Sequence, residues 1–196
     1  MQQQIDYPKH RWFFTSSKKL VVGGKSSDQN DELLKKLKRG KKDYVAMHTS
    51  SPGSPFAVII SDKKDISKQD IEETAIFTGC FSRAWKQGKK KTSVDIFSTS
   101  QIYKTKKMKV GTWGVKGKIK RQSVPLELVL TKQENKLRAV PEFVVKNKKD
   151  ILLKIRPGKI DKQEMLPKFQ ILLNESFSQE ELLSALPSGG VTIVKR

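Results

Sequence analysis

The chain has 196 residues (22.3 kDa), of which 36% are hydrophobic and recur in clusters, enough for a folded domain and unlike a disordered chain. Lys and Arg number 40 against 20 Asp and Glu, a formal net charge of +20. Self-repulsion of that size on so short a chain points to a polyanionic partner, and the single cysteine excludes an intramolecular disulfide framework.

In chain order, Arg11–Val22 reads as two short strands around a Ser/Lys turn, broken by Gly23-Gly24. Ser27 or Asp28 can cap a helix over Asn30–Lys38, with Leu33, Leu34 and Leu37 on one face and Gly40 beyond its end. Tyr44–His48 is predicted as a strand, Thr49–Pro55 as a turn and Phe56–Ser61 as a buried strand. Ser67 and Asp70 make an S-x-x-D cap for a helix running to a stop at Gly88. Ser93–Phe97, Leu126–Leu130 and Leu137–Val145 read as further strands. After Asn147 come a strand over Asp150–Ile155, a turn at Arg156-Pro157-Gly158, helices over Lys162–Leu173 and Ser178–Leu186, and a strand over Val191–Val194. The expected fold is α+β: an antiparallel sheet with two main helices over residues 1–147, then a small C-terminal β-α-α-β unit over 148–196.

The charge is concentrated. Between Ser82 and Arg121 there are 13 Lys/Arg and one acid, Asp95. Within that stretch Lys104, Lys106, Lys107, Lys109, Lys116, Lys118 and Arg121 flank Tyr103, Trp113 and three glycines. That mixture suits phosphate neutralisation with base stacking on Trp113. Arg156-Pro157-Gly158-Lys159 could hold a phosphate or be a plain turn, and the plain turn is favoured. Catalysis has little to work with: two histidines, His10 and His48, and Cys80 supply no metal set, and no nucleophile elbow or phosphate-binding loop occurs. A non-enzymatic chain without cofactor or metal is expected. The N-terminal segment lacks the apolar core of a signal peptide and no apolar run reaches 18 residues, so a cytoplasmic protein with no membrane partner is expected.

Four ordered segments resemble the NFACT-R domain, the RNA-binding module of the NFACT factors of ribosome-associated quality control. They are His10–Leu34 (with Leu20, Val21, Gly23, Gly24, Gln29 and Asn30), Asp43–Pro55 (with His48 and the Pro-Gly-Ser turn), Glu73–Trp85 (ending Phe81-Ser82-Arg83), and Val94–Lys118. The family's first turn usually carries Asp-Gly where this chain has Ser17-Lys18. The resemblance implies a surface containing Gly23, Gly24, Lys25, Gln29, Asn30 and His48, and contact with tRNA and large-subunit ribosomal RNA, hence the large ribosomal subunit. It further implies that the other NFACT domains are supplied by a separate protein. The rival expectations are a DNA-binding protein and a basic adaptor docking on an acidic protein partner.

Overall fold

Arg11–Phe14 (β1) and Leu20–Gly23 (β2) form the predicted hairpin, with Trp12 opposite Val22 and Phe13 opposite Val21. The computed structural model describes residues 5–40, 42–173 and 175–194. Next come Ser27–Arg39 (α1), Val45–Thr49 (β3), Ala57–Ile59 (β4), Lys68–Cys80 (α2), Arg83–Lys86 (α3) and Lys91–Ser98 (β5). A two-stranded ribbon, Ile102–Tyr103 (β6) with Gly114–Val115 (β7), precedes Lys120–Pro125 (β8). The main sheet is antiparallel in the order β1-β2-β4-β3-β5-β8.

Strand side chains alternate between faces, and both faces of this sheet are covered by a helix. Val22, Ala46, Val58 and Phe97 pack with Leu33, Leu34 and Leu37 of α1. Their neighbours Val21, Met47 and Ile59 pack with Ala75, Ile76 and Phe77 of α2 on the other side. The two helices start where their caps dictate. Ser26 accepts a hydrogen bond from the Gln29 N–H, one residue earlier than the sequence suggests, and Ser67 and Asp70 form the expected reciprocal capping box.

A second antiparallel sheet contains Leu128–Gln133 (β9), Lys136–Val140 (β10), Leu153–Asp161 (β11) and Gly190–Val194 (β12), in the order β10-β9-β11-β12. Leu166–Leu172 (α4) and Gln179–Ala185 (α5) connect β11 to β12, giving the β-α-α-β succession. Because β11 pairs with β9, strands on both sides of position 147 share one sheet. One core cluster joins Phe77 and Trp85 to Leu130, Ile155, Phe169 and Leu182, and the Trp85 indole donates to the Gly190 carbonyl at 3.0 Å. The Gln133 amide accepts from the Phe14 N–H (2.8 Å) and donates to the Phe14 carbonyl (2.7 Å), satisfying backbone groups on the outer edge of β1.

Some expected elements change: the strand read over Leu137–Val145 ends at Val140, where Pro141 leads into a 3₁₀ turn over Glu142–Val144, and the helix read over Lys162–Leu173 begins at Leu166. The helix predicted to run to Gly88 breaks at Ser82, whose hydroxyl donates to the Gly79 carbonyl (2.7 Å) and accepts from the Ala84 N–H (3.1 Å), starting α3 as a new turn. The turn expected at Arg156-Pro157-Gly158 lies inside β11, where Arg156 pairs with Thr192 and Pro157 with Val191 before an irregularity in register. Gly158 lets the strands approach closely: a Cβ there would sit 2.3 Å from Thr192 Oγ1.

The β1–β2 turn is held from below. The buried Asp70 carboxylate accepts from Thr15 Oγ1 (2.5 Å) and Ser17 Oγ (2.6 Å), while Lys18 occupies the left-handed region at φ 64°. That conformation disfavours a residue with a Cβ by roughly 1–2 kcal/mol, partly offset by the ~0.4–1 kcal/mol of extra unfolded-state entropy of glycine. Lys18→Gly should therefore stabilise the fold by roughly 0.5 kcal/mol, read as a higher urea midpoint at unchanged slope.

Candidate nucleic-acid interface

The N-terminal part of α1 places two buried polar side chains side by side. Asn30 Oδ1 accepts from the Phe56 N–H at 3.1 Å, tying the helix to the start of β4. Gly24 passes so close that a Cβ there would lie 2.4 Å from the same oxygen. Next to it, the Asp31 carboxylate accepts from Lys104 Nζ (2.8 Å), the Gly111 N–H (3.0 Å) and the Trp113 indole N–H (2.8 Å). Gly111, at φ +77°, packs against Ser27, where a Cβ would be 2.4 Å from the serine Cβ. Burial alone would raise the Asp31 pKa, but the donors from Lys104, Trp113 and Gly111 outweigh it and hold the carboxyl below its ordinary value.

The opposite wall comes from the Thr49–Pro55 turn. Thr49 N–H donates to Ser54 Oγ (2.9 Å), and the Thr49 hydroxyl donates to the Ser51 carbonyl (2.6 Å). Gly53, at φ +105°, accepts from the Arg83 N–H at 2.8 Å and leaves room for the Arg83 side chain to lie across it. His48 Nδ1 donates to the Thr49 carbonyl (2.7 Å), and its ring lies over Phe56 with centroids 4.4 Å apart. Burial pushes the imidazole below its ordinary pKa against the opposing pull of Thr49 and Asp95, so His48 is neutral at pH 7.

Between these walls lies a cleft of about 630 Å³. It offers the part-exposed rings of His48, which is backed by the buried Phe56, and Trp113, together with the cationic side chains of Arg11, Lys25, Arg83 and Lys86. None of these four cations forms an ion pair with a described residue. The acid on the cleft wall, Asp95, is matched instead by Arg121 at 2.7 Å. Flat rings amid uncompensated cations suit a nucleic acid, whose bases stack while its phosphates are neutralised. Among the described residues no three His, Cys, Asp or Glu side chains cluster to hold a metal ion, and no helix is long and apolar enough to cross a membrane.

The candidate residues from the sequence separate by position. Lys25, Asn30, His48 and Trp113 line the cleft, with Gly24. Gln29 stands behind it, accepting from the Lys25 N–H at 2.9 Å. Asn30 and the Trp113 indole N–H are committed to internal bonds, so each shapes the cleft while Trp113 keeps part of its ring accessible. Lys104 points inward to Asp31 and to the Lys109 and Thr112 carbonyls. Lys106, Lys107 and Lys109 are exposed on the loop beside the cleft, and Lys118 is exposed further along. Lys116 lies over the Tyr103 ring at 4.9 Å, and Arg121 is held by Asp95 across the β5–β8 pair. Arg11, Arg83 and Lys86 were not singled out from the sequence. The Phe81-Ser82-Arg83 ending was the available signal for Arg83, whereas Arg11 reads as an ordinary strand residue until β1 is placed beside the cleft.

Asp31→Asn keeps the shape and removes the charge facing Lys104, so it should destabilise the protein by about 2–3 kcal/mol and loosen the 104–113 loop. The sign with pH follows from the depressed pKa: the contribution is complete above the ordinary carboxylate value and is lost as pH falls through the folded-state value. The stability difference between wild type and Asp31→Asn in urea melts should thus be constant from pH 8 to about 5 and shrink below about 4.

The family model described as the NFACT protein RNA binding domain matches residues 9–117. The chain is 28% identical over 200 residues to the archaeal Rqc2 homolog aRqcH of Methanocaldococcus jannaschii, covering 97% of this chain and 29% of that protein. It therefore spans less than a third of that curated relative's length. A solved structure of the C-terminal of the fibronectin/fibrinogen-binding protein from Streptococcus suis shares the fold, with a TM-score of 0.52 and 24% identity over 64% of this chain and 47% of that one. The residues that wall the cleft lie within the matched segment, from Arg11 to Val115, except for Ser188, and the chain belongs to the NFACT RNA-binding domain family.

Proposed function

We propose that the chain binds unpaired RNA in the cleft between the α1 start, the Thr49–Pro55 turn and the 104–113 loop, as part of ribosome-associated quality control of stalled nascent chains. The observation that carries this reading is the convergence of Arg11, Lys25, Arg83 and Lys86, without acidic partners among the described residues, around His48, Phe56 and Trp113. In this reading the part-exposed rings of His48 and Trp113 stack bases, the four cations take phosphates, and Lys106, Lys107 and Lys109 extend the contact along the backbone. The RNA is tRNA or large-subunit ribosomal RNA, and the setting is the cytoplasmic ribosome. The alignment along 97% of the chain with an archaeal Rqc2 homolog supports that setting. The half-buried, neutral His48 holds a wall of the cleft, with its Nδ1 committed to the Thr49 carbonyl, and serves as a stacking surface.

The test is the salt dependence of affinity for a short single-stranded RNA. If six or so phosphates are neutralised, affinity should fall by roughly three-hundredfold between 50 and 200 mM salt. Arg83→Gln with Lys86→Gln, both exposed and outside the core, should flatten the log–log salt slope by about 1.4 without changing the melting temperature. An unchanged slope would remove these residues from the interface.

A further inference from the structure

Beside the main cleft, and sharing Arg11, Lys25 and Phe81 with it, is an annex of about 40 Å³ between β1, β10 and α5. That is room for about three waters or one tetrahedral oxyanion. Three cationic side chains line it: Arg11, Lys25 and Arg138. Arg11 sits over the Phe81 ring at 4.8 Å and Arg138 over the Trp12 ring at 4.1 Å. Neither arginine forms an ion pair with a described residue, and Glu181, the acid acting on Arg138 from a distance, accepts instead from the Leu137 N–H at 2.9 Å. Burial brings the Arg11 guanidinium down to about 10, and the Lys25 amine is lowered by burial and then by the charges of Arg11 and Arg138.

Two residues that line it carry unsatisfied donors. Among the described residues, Trp12, 3% exposed, has no hydrogen-bond partner for its Nε1, and the buried Nε of Arg138 has none either. Buried donors without acceptors are rare because each forfeits its hydration, and cations held together without a counter-charge repel. Both costs disappear if an anion rich in acceptor oxygens occupies the annex.

We propose that this annex is a phosphate-binding site, in which Arg11, Lys25 and Arg138 neutralise one phosphate group whose oxygens accept from the Trp12 and Arg138 N–H groups. The phosphate is that of an RNA strand leaving the main cleft past Arg11. Only this source of the phosphate rests on the RNA-binding reading above; the site itself does not.

The three tryptophans give a direct readout in a ¹H–¹⁵N spectrum of the full chain. The indole N–H of Trp85 is bonded to Gly190 and that of Trp113 to Asp31, whereas that of Trp12 has no partner among the described residues. Inorganic phosphate, titrated against sodium chloride at matched ionic strength, should move the Trp12 indole signal alone and saturably. Lys25→Gln, an exposed change, and Arg138→Gln should each weaken that response by roughly tenfold or more. A short single-stranded RNA that moves the same signal identifies an RNA phosphate as the source; a response to inorganic phosphate alone identifies a free-phosphate site. A Trp12 signal unmoved by phosphate and RNA, or moved equally by chloride, overturns the proposal. If RNA nevertheless binds with the steep salt slope, the cleft reading survives that failure.

Discussion

The arrangement depends on the N-terminal part of α1, where Asn30 and Asp31 hold two distant parts of the chain. Asn30 takes the Phe56 N–H, and Asp31 takes Lys104, Gly111 and Trp113. One buried carboxylate thus fixes a loop that would otherwise splay under the repulsion of its own lysines. Because the bonds engage the backbone of Gly111 and the indole of Trp113, the loop is fixed in shape as well as place. The space left between that loop and the Thr49–Pro55 turn is the cleft.

Charge on this protein falls into two kinds. Some cations are neutralised and structural: Lys104 by Asp31, Arg121 by Asp95, and Lys154 by Glu127 and Glu142. Others, at Arg11, Lys25, Arg83, Lys86 and Arg138, form no ion pair with a described residue and converge on one side of the α1 start. Folding brings these together against their mutual repulsion, and a polyanion returns that energy on binding. The net charge of +20 is therefore less informative than its distribution, since a structural lysine and a phosphate-seeking one contribute equally to the total.

Much of the fold was legible because local chemistry and tertiary context agree. The β1–β2 hairpin, the Ser67–Asp70 capping box, the leucine stripe of α1 and the Ser178 cap of α5 each appear where residue pattern places them. Lys18 at positive φ stands where the family's turn usually carries glycine. Tertiary context decided the rest. Nothing local distinguishes Lys104 from Lys106, because what separates them is a buried aspartate 73 residues away. Pro157-Gly158 has the composition of a turn, yet pairing with β12 keeps it in a strand. Arg11, Arg83 and Arg138 become a set only when β1, α3 and β10 are assembled around the cleft and its annex.

The most direct measurement is ultraviolet crosslinking of the intact chain to single-stranded RNA, with the modified residues mapped by mass spectrometry. Adducts should fall on His48, Phe81 and Trp113, the part-exposed rings of the cleft. Adducts confined to the exposed Phe143 or Ile171, away from the cleft, would contradict the account and move the RNA to another face of the molecule.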